Sequence, residues 1–95
     1  MEKTVYELTL IFRPDEDKKY IDGLISKVEK VIEKSAGKVT KKDEPKLKEF
    51  AYQIEKFDKG LYIFIVFEAN PDSSNQLAKL FKIEENLLRY LLINK

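Results

Sequence analysis

Apolar residues in this chain change period four times, from strand to helix, to two strands, to helix, to strand, and few folds accommodate that order. Tyr6, Leu8, Leu10 and Phe12 alternate with Val5, Glu7, Thr9 and Ile11, the pattern of a strand with one covered face. Ile21, Leu24, Ile25, Val28, Val31 and Ile32 then fall on one helical stripe. Asp15 follows Pro14 and is placed to cap that helix. The acids Asp15, Glu16 and Asp17 and the base Lys34 suit the two ends of its dipole, and Gly37 offers a left-handed stop. Lys38 and Val39 open a second strand, very polar as far as Pro45, which resumes with Phe50, Tyr52 and Ile54. Proline lacks the N–H a ladder needs, so this strand belongs at an edge or carries a bulge. Phe57-Asp58-Lys59-Gly60 reads as a hairpin turn, and the unbroken apolar run Leu61 to Phe67 as a central strand. A short helix holding Leu77, Ala78, Leu80 and Phe81 and a last strand from Leu87 to Ile93 complete the chain.

These elements predict a single α+β domain over residues 1–95, the ferredoxin-like split βαβ arrangement (βαββαβ). A four-stranded antiparallel sheet in the order two-three-one-four carries both helices on one face, because right-handed crossovers place the first and third strands centrally. Leu8, Leu10, Ile25, Val28, Ile32, Ile63, Ile65, Leu77 and Leu80 form the expected core. The other face of the sheet stays uncovered. Strand parity assigns it Tyr62, Phe64 and Val66 from the third strand and Leu91 and Ile93 from the last, with Arg89 beside them. So contiguous an apolar patch marks a partner-binding surface.

Charge and residue choice limit the chemistry. Eighteen Lys and Arg stand against 17 Asp and Glu, a net charge of +1. A lone nucleic-acid binder draws affinity from displaced counterions and is usually more basic, so an RNA partner here requires clustered cations or a second protein. The cluster Lys38, Lys41, Lys42, Lys46 and Lys48 is one candidate for RNA binding, and it equally suits an edge strand guarded against aggregation. Arg89 is the other, able to stack on or bond to RNA, or else to pair with Glu68 or Glu7. No cysteine or histidine is present, which removes thiol nucleophiles, histidine bases and the usual zinc ligands. The acidic clusters have capping and turn explanations, and no phosphate-cradling glycine loop exists. The expectation is a non-enzyme with no metal, cofactor or small-molecule substrate. No apolar run reaches the length of a membrane span and the start lacks a signal peptide's pattern, so the cytoplasm is the expected compartment and no membrane a partner.

Against that reading, the chain resembles the bacterial small-subunit ribosomal protein S6 family along nearly its whole length. The resemblance is carried by Tyr6-Glu7 with Pro14-Asp15, by Phe50-Ala51-Tyr52-Gln53-Ile54-Glu55-Lys56-Phe57 with Gly60-Leu61-Tyr62 and Phe67-Glu68-Ala69, and by Glu84-Glu85-Asn86-Leu87-Leu88-Arg89-Tyr90. It implies a structural protein that joins ribosomal protein S18 on the central domain of the 16S rRNA and is a monomer when isolated. Arg89 matches the family's arginine. Lys46-Leu47-Lys48 stands where the family usually has Gly-Arg-Arg, and Lys3 is the only base near the first strand. Two other readings share the topology. An RNA-recognition motif requires aromatics where this chain has Leu61 and Ile63, with Tyr62 and Phe64 one step out of register. A ligand-sensing, homo-oligomerising module would pair the open face with itself.

Overall fold

The computed structural model describes residues 3–94; Met1, Glu2 and Lys95 lie outside it. Its elements are β1 (Thr4–Phe12), α1 (Lys18–Lys34), β2 (Lys38–Lys42), β3 (Lys46–Ile54), β4 (Phe57–Ala69), α2 (Ser73–Lys82) and β5 (Leu87–Asn94). All strand pairs are antiparallel, in the order β2-β4-β1-β5, and β3 also pairs with β4. The expected order is therefore found, but the expected second strand is two. Lys42 stands opposite Ile65 and Lys46 opposite Tyr62, so Asp43, Glu44 and Pro45 face only Ile63 and Phe64. Three residues against two make a bulge. Asp43 N–H still bonds the Phe64 carbonyl, and Pro45 has no N–H to contribute.

The parity of the central strands is as expected. Tyr6, Leu8, Leu10 and Phe12 are buried with Ile63, Ile65 and Phe67 beneath Ile21, Leu24, Val28, Ile32, Leu77 and Phe81. Leu80 is only partly buried and lines this core rather than filling it.

Three local expectations are corrected. Asp17, not Asp15, caps α1: its carboxylate accepts the Lys19 N–H at 3.0 Å, and Asp15 and Glu16 lie before the helix rather than in its first turn. At the other end Ala36, not Gly37, takes the left-handed backbone, with φ 55°. The Ala36 N–H bonds Glu33 O and the Gly37 N–H bonds Ile32 O, closing the helix. Gly37 is needed for space, since a Cβ there would run into the Glu68 carbonyl and stand 2.6 Å from the Ala69 Cβ. Finally, the β3–β4 turn is Glu55-Lys56, at φ 47° and 75°, flanked by the Ile54–Phe57 pair. Phe57 to Gly60 already belong to β4. The Asp-Lys-Gly signal misled because Gly60 serves a different need: a Cβ there would meet the Phe50 ring at 2.6 Å and the Phe12 carbonyl at 2.7 Å.

Candidate nucleic-acid and partner interface

Register builds the open face row by row. Ile11 stands between Tyr62 and Arg89, Thr9 between Phe64 and Leu91, and Glu7 between Val66 and Ile93. Residues opposite one another in a ladder point to the same side, so these nine share the face turned away from the helices. Leu91 and Ile93 are 56% and 44% exposed, while Tyr62, Phe64 and Val66 are half-buried among their neighbours.

The lysine edge completes the first row. Lys46 lies opposite Tyr62, and the Lys48 ammonium sits 5.4 Å from the centre of the Tyr62 ring, a favourable cation–π arrangement. Phe50 leans on the same ring, with centroids 6.0 Å apart. Arg89 and Lys46 thus end one row across β5, β1, β4 and β3, about 14 Å long at ordinary strand spacing. Beside it, Thr9, Ile11, Phe64 and Leu91 help line a groove of about 460 Å³ that the Asp43 and Glu44 bulge borders. A shallow groove with Lys46 and Lys48 on its β3 side, next to Asp43 and Glu44, and an aromatic and aliphatic floor can hold a stacked base or an apolar side chain.

Not every expected basic residue joins this row. Lys41 opposes Val66 farther along the same face, and Lys38 opposes Glu68, with 3.9 Å between their charged atoms. Lys42 does not belong. Thr40 is bulged out of register, and two residues later Lys42 opposes the buried Ile65, so its side chain turns to the helices and pairs with Glu29 at 3.5 Å. Lys3 is exposed before β1, about 25 Å from Arg89 by strand rise. The structure therefore gathers Arg89, Lys46 and Lys48 and leaves Lys3 and Lys38 at the far end. Arg89 forms no ion pair among the described residues; Glu68, one of its imagined partners, is opposite Val5 and engaged by Lys38.

Two participants escaped the sequence reading. Ile11 floors the row between Arg89 and Tyr62, and its place in the Glu7/Thr9 set was the available signal. Phe50 props Tyr62 across a bulge that sequence parity cannot count through. On the opposite face, the Tyr20 hydroxyl donates to Glu84 at 2.7 Å, and Lys27 approaches the same carboxylate at 3.5 Å. Burial, with the Glu84 hydrogen bond and charge reinforcing it, pushes the Tyr20 phenol far above its ordinary value. This group ties α1 to the turn before β5. Leu61 and Ile63, which an RNA-recognition motif would need as exposed aromatics, lie on the helix side with the core.

Comparison with known proteins agrees with this geometry. The sequence profile of the family described as Ribosomal protein S6 matches residues 5–94. Small ribosomal subunit protein bS6 of Clostridium novyi is 35% identical, with 94% of each chain covered. That of Lactobacillus helveticus is 33% identical over 98% of this chain and 96% of its own. The crystal structure of 30S ribosomal protein S6 from Thermotoga maritima superposes with a TM-score of 0.87 at 25% identity, covering 99% of this chain and 89% of that one.

Proposed function

The chain belongs to the ribosomal protein S6 family of the bacterial small ribosomal subunit, and from that premise we propose that it binds the central domain of 16S rRNA as a heterodimer with ribosomal protein S18. Membership makes it a structural component of the cytoplasmic ribosome. The observation that supports the finer reading is the row from Arg89 through Ile11 and Tyr62 to Lys46 and Lys48, lying beside apolar residues that flank Thr9 and Glu7 on the same uncovered face. The cationic row suits phosphate and base, and the apolar Phe64, Val66, Leu91 and Ile93 suit a protein. In this reading Lys41 extends the RNA contact along the edge, and Lys38 and Lys3 are peripheral to it.

A net charge of +1 makes binding by this chain alone weak. The partner then contributes much of the phosphate neutralisation, and assembly is cooperative by about 1–3 kcal/mol. Arg89→Ala should weaken the RNA complex without unfolding the domain, because the side chain is exposed. Phe64→Ala should chiefly weaken the protein–protein step by removing an aromatic anchor. Filter binding to a central-domain rRNA fragment, with and without S18 at two salt concentrations, separates the two. Equal affinity with and without S18, or an unaffected Arg89→Ala variant, defeats this proposal; a stable homodimer that ignores RNA supports self-pairing instead.

A further inference from the structure

We propose that the outer surface of the two helices is a second contact for the RNA phosphate backbone, so that the domain is held from both sides. This rests on the rRNA-binding reading and adds a surface to it. The buried stripe of α1 is Ile21, Leu24, Ile25, Val28 and Ile32. At 100° per residue the remaining surface divides by sign except at Lys18, which falls among the acids. Asp22, Glu29 and Glu33 follow one flank; Lys19, Lys27, Lys30 and Lys34 follow the other. The acidic flank has a structural reason, since it lies toward the lysine-rich edge, where Lys42 pairs with Glu29.

The basic flank has no such reason. It lies toward α2, whose residues Ser73–Lys82 include no acid and add Lys79 and Lys82. Gln76 borders a cleft with Val31 and Lys34, and Lys79, three residues on, falls on the same side of α2. Six lysines thus outnumber the two carboxylates beside them, Glu84, which Tyr20 and Lys27 engage, and Asp72, which borders the same cleft as Lys34 and accepts from Gln76. In a chain of net charge +1 this is a strong local concentration.

The chemistry favours a polyanionic backbone over other ligands. Lys27, Lys30 and Lys34 rise about 4.5 and 6 Å apart along the axis, a ladder of point charges that contacts phosphates without reading bases. Protein interfaces are depleted in lysine and enriched in aromatics and arginine, the reverse of this surface. A membrane-surface helix needs a large apolar flank, whereas every large apolar residue of α1 is at least partly buried.

The test is the salt dependence of binding by the full chain with S18 to the same rRNA fragment. Lys30→Gln, Lys34→Gln and Lys79→Gln are combined in one variant, because none forms an ion pair among the described residues. A thermal melt matching wild type establishes that the variant is folded. The log–log salt slope should become shallower by about 2–3, at roughly 0.7–0.9 per lost phosphate contact. S18 affinity measured without RNA should be unchanged. An unchanged slope alongside a weakened Arg89→Ala complex overturns the helix contact and leaves the sheet-face reading intact. Wild type that fails to bind the fragment at all overturns both. Loss of S18 affinity, or lysine-dependent binding to phosphatidylglycerol vesicles in place of RNA, also overturns this proposal.

Discussion

The two faces of β4 are built from nearly the same residues and end in opposite states. Ile63, Ile65 and Phe67 are wholly buried, while Tyr62, Phe64 and Val66, one step away on the same strand, are half-exposed. Hydrophobicity does not separate them. Coverage does: two helices lie on one face and, among the described residues, nothing lies on the other. The signal that told the faces apart was the charge of Glu68, which shares the side of Tyr62, Phe64 and Val66; the neighbour β1 agrees, with Glu7 and Thr9 alternating with Tyr6, Leu8 and Leu10. A central strand apolar on both sides therefore points to one core and one interface when a single charge in it, here Glu68, breaks the tie.

The sharpest way to break this comparison is to truncate each face in turn. Ile63→Ala should cost about 2–5 kcal/mol, through lost burial and a cavity beneath the helices. Phe64→Ala, although it removes more atoms, should cost only about 1–2 kcal/mol because its ring is already partly wet. Urea melts that rank the two the other way would show that the open face is core. Next in size is the seam where α1 descends onto the sheet. Gly37→Ala should cost about 1–3 kcal/mol, since the added methyl meets fixed backbone at Glu68 and Ala69 rather than a side chain that can swing away. A variant as stable as wild type would mean that the helix end can lift from β4.

The covered face also carries a pH-sensitive tie. Folding raises the Tyr20 phenol, first through burial and then through Glu84, so the fold favours its neutral form. That contribution is complete below the unfolded value of about 10 and is lost as pH rises through the higher folded value. Tyr20→Phe should cost about 1 kcal/mol near neutrality and should flatten the alkaline loss of stability above about pH 10. Parallel alkaline melts of the two proteins would contradict the assignment. The smallest effect concerns the divided lysine edge. Lys42→Gln should change stability by less than about 1 kcal/mol and leave RNA affinity alone, because its partner is Glu29 on the helix side. Lys46→Gln should do the reverse, lowering RNA affinity and its salt slope with no change in the melt. Identical behaviour of the two would mean that the edge acts as one charge cloud.

Much of this was legible in the residues. Clean alternation in the first strand, a single stripe in the first helix and the charge of Glu68 were enough for the strand order and the faces of the central strands, but not for the division of the second strand into β2 and β3. The open-face set of Tyr62, Phe64, Val66, Leu91 and Ile93 followed by counting in twos. Counting fails where the chain adds a residue, and Thr40 and the Asp43-Glu44-Pro45 segment do so twice along one edge. Lys42 was misplaced for that reason and Phe50 overlooked. Glycines misled in another way. Gly37 reads as a helix stop and Gly60 as part of a turn, yet both are there because another part of the chain passes too close for a Cβ, which only the folded structure reveals. The charge division on α1 was present in the sequence, but its meaning depends on an acid-free α2 lying alongside.

The position of β1 has a consequence in time. The first strand to be synthesised lies inside the sheet, and its second neighbour is the last strand of all, so Tyr6 meets Asn94. Pairing that spans almost the whole chain requires closing a very long loop, and such contacts form slowly. While the chain is still growing, β1 can at most lie against β4, with its other edge bare. The domain therefore completes its fold only after β5 has been made, and the interval between the two is when it is most open to wrong pairing. The lysines and the bulges guard the β2–β3 edge throughout that interval; the bare side of β1 has only β5 to close it.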